Sequence, residues 1–346
     1  MPSLSKVLLS AALVSGLAIG TSAAATPYSF KLVTKIPLPT KPGHGDWVAY
    51  DPGNHDIYVS LKDHGMAVIN TKTNKVIHVY QDIKAPNTMV FDKDYIYETA
   101  AEGAGAGKAN QIVVISKHTW KIVSRVTTKG TSPDGTFIDP ANHDVYVASD
   151  DNNWIERYKT GAHPKFVAKY PLEPAKAQNG PDVAALFNGT IYATDDSDLE
   201  SVNPNTGKIG TVANYMLKQN KFGGTKGMIW DPDHNAIWVG TTNHVIYIVD
   251  PKTLLIEKPL PETAGADAVV DDPGLGLVYA FQSGAEGFDV YSMKDEKYLT
   301  TVSIGMKGPT HSGAVDTDTH NIYTYAGPAA ALYVYKPEVQ SASNTK

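Results

Sequence analysis

The sequence predicts an all-β fold, a seven-bladed β-propeller of four-stranded antiparallel blades, on three observations. A short pattern returns seven times. It reads Asp46-Trp-Val-Ala-Tyr-Asp51 with Tyr58, Asn87-Thr-Met-Val-Phe-Asp92 with Tyr97, and Asp134-Gly-Thr-Phe-Ile-Asp139 with Tyr146. It continues as Asp182-Val-Ala-Ala-Leu-Phe187 with Tyr192 and Lys226-Gly-Met-Ile-Trp-Asp231 with Trp238. The last copies are Asp267-Ala-Val-Val-Asp-Asp272 with Tyr279 and His311-Ser-Gly-Ala-Val-Asp316 with Tyr323. Copies lie 41 (Asp51 to Asp92) to 48 (Asp139 to Phe187) residues apart, the period of one propeller blade. The spacing within each copy leaves room for hairpins but not for helical crossovers between parallel strands.

Taken in chain order, the first 25 residues read as a signal peptide. Lys6 gives a positive start, Val7–Gly20 an apolar core, and Thr21–Ala25 the small residues of a cleavage site. That core is short and interrupted for a membrane span, so no transmembrane anchor is expected after its removal, and the protein is expected to be periplasmic or secreted. Residues 26–338 then form one propeller domain, because blades share a continuous core that none could build alone. Residues 339–346 are a polar tail.

Each unit opens with an apolar inner strand such as Trp47–Tyr50 or Met228–Trp230. A Pro/Gly/Asn turn leads to a second strand such as Ile57–Val59 or Ile237–Val239. A third strand follows, Met66–Ile69 or Val245–Val249, and then a fourth such as Lys75–Val79. The seventh unit stops after its third strand, Leu332–Tyr335. Its outer strand is expected from Phe30–Pro39, which resembles the outer segment Leu254–Pro261 and puts Pro37 and Pro39 on an edge. Asn188-Gly-Thr190 has the form of a glycosylation sequon but sits where a tight hairpin is required.

Composition narrows the function classes. The chain has no cysteine, which excludes thiol chemistry and disulfides. A formal charge of −6 without a basic stripe gives no nucleic-acid surface. There is no Gly-x-Ser-x-Gly elbow, and Gly103–Gly107 precedes no helix, so it is not a phosphate loop.

Asn54-His-Asp-Ile-Tyr-Val59 with Val68-Ile-Asn-Thr-Lys-Thr-Asn-Lys-Val76 resembles the YVTN-type β-propeller repeat, as do Asn142-His-Asp-Val-Tyr-Val147 and Tyr247-Ile-Val-Asp-Pro-Lys-Thr253. The resemblance covers the mature chain and implies the propeller fold. It implies no single activity: the family includes surface-layer and binding proteins, and related seven-bladed propellers hydrolyse or form lactones.

Aligning the units puts one polar residue at the start of each inner strand: Asp46, Asn87, Asp134, Asp182, Lys226, Asp267 and His311. These are expected to ring the channel mouth, where carboxylates raise one another's pKa and Lys226 counteracts them. The same residues could equally serve strand-start backbone and channel water. Asp46, Asp267 and His311 are the candidate acid/base residues, and with His44 the candidate ligands of one divalent cation. Asn87, Asp134, Asp182 and Lys226, with His64 and His244 from the second-to-third-strand loops, are candidate ligand contacts. His55, His143, His234 and His320 recur in the first hairpin turn and are read as turn residues of the opposite face. The longer connections Ala100–Lys108, Pro171–Gly180 and Leu217–Gly224 are candidate lids over the mouth. Three functions fit: capture of a small molecule or envelope protein at the mouth, a hydrolase or lyase acting on a lactone-like substrate, and an envelope scaffold.

Overall fold

The structure, a computed structural model, describes residues 28–340 except 44, 103–107, 173–179, 196–197, 215–223, 262, 283–284 and 309. Seven separate four-stranded antiparallel sheets are arranged as the blades of one ring. Blade 1 runs outward from Val48–Asp51 through Asp56–Ser60 and Met66–Asn70 to Lys75–Tyr80. The inner strands of blades 2 to 7 are Pro86–Phe91, Pro133–Ile138, Pro181–Phe187, Thr225–Asp231, Ala266–Asp272 and Gly313–Asp316. Among the described residues the only helical elements are the 3₁₀ turns Lys62–His64, Asp150–Asn152 and Gly327–Ala329, and none could cross a membrane.

Ring closure uses both ends of the chain. Tyr28–Pro37 pairs antiparallel with Ala331–Val339, from Tyr28 opposite Val339 to Pro37 opposite Ala331. The outer strand begins and ends two residues earlier than the sequence suggested, and its partner extends to Val339, the first residue of the expected tail. Pro37 closes the strand, where a missing N–H costs no interior ladder bond.

The repeated aromatic residue has a packing reason. Tyr58, Tyr97, Tyr146, Trp238, Tyr279 and Tyr323 are fully buried and Tyr192 nearly so. They belong to apolar clusters that fill the gaps between blades. Three carry polar ties to the next blade: Tyr97 Oη accepts from the Gly161 N–H at 2.7 Å, Tyr192 Oη donates to the Pro251 carbonyl at 3.0 Å, and Tyr323 Oη donates to Asn74 Oδ1 at 3.0 Å. Burying an aromatic ring face while satisfying its hydroxyl both stabilises and orients the neighbour.

The repeated aspartate serves the first hairpin turn. Asp51, Asp139 and Asp316 each accept the N–H two residues on, at 2.8–3.0 Å. His55, His143 and His320 then sit at φ of 57–61°, each donating its backbone N–H to the carbonyl of that aspartate. In blade 5 Asn235 takes the left-handed position, and His234 bonds Asp231 through its ring. The four histidines are thus built into turns, at the end of the inner strand remote from Asp46 and its counterparts. At Asn188-Gly189 both residues have positive φ, 48° and 75°, the signature of a two-residue hairpin turn.

Candidate functional site

The inner strands bring Asp46, Asp134, Asp182, Lys226, Asp267 and His311 around one cavity of about 180 Å³. Trp47, Val183, Thr88, Thr136 and Ser312 complete much of its wall. Cavities of similar volume accept molecules the size of benzene. Two glycines set how closely the strands converge. A Cβ on Gly135 would stand 2.5 Å from the Asp182 carbonyl, and one on Gly227 2.5 Å from the Val269 nitrogen. No larger residue fits there without moving backbone.

Strand starts are fixed by polar bonds between blades. The Asp134 carbonyl accepts from Thr88 Oγ1 at 2.6 Å and Thr99 Oγ1 at 3.1 Å, tying blade 3 to blade 2. Ser312 Oγ accepts from the Val48 N–H at 3.0 Å, tying blade 7 to blade 1. Asn87 does not line the cavity. It is buried, donates through Nδ2 to the Pro133 carbonyl at 2.9 Å, and accepts from Lys62 Nζ at 3.0 Å.

Three basic residues organise the ring in pairs of adjacent blades. Lys62 bridges Asp46 of blade 1, at 2.7 Å, to Asn87 of blade 2. Lys226 of blade 5 contacts Asp182 of blade 4. His311 of blade 7 meets Asp267 of blade 6 through Nδ1. Seven is odd, and the ring residue of blade 3 is left over. The Asp134 carboxyl has no hydrogen-bond or ion-pair partner among the described residues. Burial pushes its pKa well above the usual carboxylate range, and Asp46 and Asp182 push it further. Burial works against the Lys226 charge, but Asp182, with Asp267 and Asp134 beyond it, outweighs that and raises its pKa.

Of the remaining expected residues, His64 lines a separate recess of about 430 Å³ with Lys41, Leu61, Lys62 and Tyr325, between blades 7 and 1. His244 lies within 3.1 Å of the Thr263 carbonyl, and it does not line the ring cavity either. His44 lies outside the described residues. So do 103–107, 173–179 and 217–223, which make up most of the three candidate lids. Among the described residues no three His, Asp or Glu side chains are grouped so as to hold a metal ion.

Several participants were not singled out in the sequence. Lys62, in the same loop as His64, is the cation that joins blades 1 and 2. A signal for the strand starts was present: Pro86, Pro133 and Pro181 each immediately precede a ring residue and open an inner strand. Asp150, from the 3₁₀ turn of blade 3, adds a carboxyl whose Oδ1 is buried without a partner among the described residues. Burial, then Asp182 and Asp151, raise its pKa to about 6.

Behind the ring stand further buried acids. Glu156 accepts the Lys129 N–H, the Gly130 N–H, Trp154 Nε1 and Tyr158 Oη, so it caps the crossover from blade 2 to blade 3. Asp289 does the same for the crossover at Thr263. Glu98 differs. It is fully buried, takes one bond from Ser60 Oγ at 3.0 Å, and leaves Oε2 unpartnered among the described residues. Burial holds its pKa well above the ordinary glutamate value, so the neutral acid is favoured.

The chain matches no protein-family model and no curated protein. The seven blades are plain in the structure, whereas the YVTN resemblance rests on the repeat phrases alone.

Proposed function

We propose that this protein is an exported propeller that captures a small polar molecule at its channel mouth. The observation that carries the reading is the shared cavity: six of the seven strand-start residues, drawn from six blades, face one space of about 180 Å³. Polar groups of both signs around a concave, partly apolar space are what orients a small ligand. Export is supported by the leader-like residues 1–25. The test is a thermal-shift screen of small polar compounds against wild type, Lys226→Ala, His311→Ala and His143→Ala. The reading requires a compound whose stabilisation is weakened by the first two changes and kept by the third, which lies at the opposite end of the strands. Equal effects of all three would reject it.

The contact between His311 Nδ1 and Asp267 favours a second reading, acid/base catalysis on a lactone-like substrate. A carboxylate at one ring nitrogen fixes the tautomer and orientation of an imidazole whose other nitrogen exchanges protons. Lys226 would stabilise negative charge developing on the substrate. Turnover that depends on pH near neutrality and collapses in His311→Ala would favour this reading over binding alone.

A further inference from the structure

Lys62, Lys226 and His311 serve six of the seven strand-start positions in pairs, leaving Asp134 without a partner among the described residues. Even with His311 protonated, three cations face the four carboxylates of Asp46, Asp134, Asp182 and Asp267. Asp150, beside the same region, brings a further unpartnered carboxyl oxygen. The charged walls are joined by apolar surface from Trp47 and Val183 and by the hydroxyls of Thr88 and Thr136. From this arrangement we infer that the mouth ligand is a compact organic cation, a primary amine on a short apolar body, with its ammonium seated on Asp134. The inference rests on the mouth being the binding site and adds the ligand's charge.

The physical reason is local balance. An isolated carboxylate is costly in a recessed site, and the cheapest relief in an empty cavity is to hold a proton. The raised pKa of Asp134 agrees with that state. An ammonium has donors to offer and a charge that makes the ionised carboxylate favourable, so it displaces the proton. Anions meet Asp46, Asp134 and Asp182 on the same wall and find both lysines already engaged. The groups that face Asp134 electrostatically are Asp46, Asp182, Asp150, Lys62 and Lys226, of which only the two lysines favour its ionisation.

Three probes of nearly equal size and different charge test this: butylammonium, 1-butanol and butyrate, titrated calorimetrically near pH 6 in two buffers of different ionisation heat. The expected result is binding of butylammonium with net proton release, at least tenfold tighter than either other probe. Asp134→Asn should lose at least tenfold in affinity for butylammonium and most of the proton release. His143→Ala should retain both, and melting curves would confirm that each variant is folded. Preferential binding of butanol or butyrate at the mouth would overturn the cation assignment and leave mouth binding standing. So would an unchanged butylammonium affinity in a folded Asp134→Asn protein whose binding still depends on Lys226. No binding of any probe would overturn both.

Discussion

Lys226 reaches from the inner strand of blade 5 to the carboxylate of Asp182 at the start of blade 4, so one ion pair spans two blades at the channel mouth. Both side chains are about one quarter exposed, 26% each. Partly buried pairs of this kind matter chiefly through what happens when one member is lost.

Lys226→Met should therefore destabilise the protein by about 1–3 kcal/mol at pH 8, because the Asp182 carboxylate loses its partner across the blade interface. The loss should shrink at pH 4–5, where the neighbouring acids take up protons. Chemical denaturation at the two pH values checks the difference.

Asp150 gives the clearest pH signature. Its folded pKa is raised to about 6 from an ordinary value of 3.8, so its folded state prefers the proton. The stability linked to it is fully present below about pH 4 and is lost as pH rises through 6. Asp150→Asn should remove that loss and gain about 1–2 kcal/mol at pH 8, partial hydration keeping it below the full linkage value. Near pH 4 the variant and wild type should melt alike.

Gly227 and Gly135 are predicted to be intolerant of even one methyl group. The added Cβ would meet backbone of the next inner strand at 2.5 Å, and backbone cannot rotate away. Gly227→Ala should cost about 1–3 kcal/mol in denaturant melts, as overpacking does, and should weaken whatever binds at the mouth. Gly189→Ala, with nothing within 4 Å of the added carbon, tests backbone strain alone, since its φ is 75°.

Two buried glutamates should respond in opposite ways to the same change. Glu156 accepts from four donors, so Glu156→Gln replaces an acceptor by a donor facing donors and should cost about 2–4 kcal/mol. Glu98 is favoured as the neutral acid, and Glu98→Gln should stay within about 1 kcal/mol of wild type at neutral pH. Its raised folded pKa means that wild type loses stability as pH rises from the ordinary glutamate value towards it, so the Glu98→Gln variant should gain relative stability as pH rises. Urea melts at pH 7 and 9 separate the two cases.

Closure is tested by removing its outer strand. Deleting residues through Pro37 strips blade 7 of the partner of Ala331–Val339 and uncovers an unpaired strand edge. Aggregation or oligomers in size-exclusion chromatography, with a lower melting temperature, are the expected outcome. Ile36→Ala is the milder form: Ile36 is 3% exposed against Leu332 and Val334, and about 2–4 kcal/mol should be lost.

The sequence by itself determined the number of blades, the order of strands and, to within two residues, the closing N-terminal strand, because each rests on a period visible in one dimension. Seven aromatic residues recur since each interface between blades needs a large buried ring, and the aspartates recur in six units, where the first turn is built on a carboxylate acceptor, while blade 4 turns at Asn188-Gly189 instead. The histidines beside them were legible as turn residues for the same reason. The strand-start residues could also be read from the alignment, since topology places the same position of every blade at one end of the channel.

What those residues do to one another was decided only in three dimensions. The pairing of Lys62 with Asp46 and Asn87, of Lys226 with Asp182 and of His311 with Asp267 depends on the reach of individual side chains across blade interfaces. No repeat encodes it. His64 and His244 share the loops of the mouth face in sequence, yet neither reaches the ring cavity, because loop direction is set by local turns outside the repeat. Asp134 has the same place in its unit as Asp46 or Asp182, and sequence treats the three alike. It stands apart because pairwise ion contacts around a ring of seven leave one member over, a consequence of packing and charge that exists only once the ring has closed.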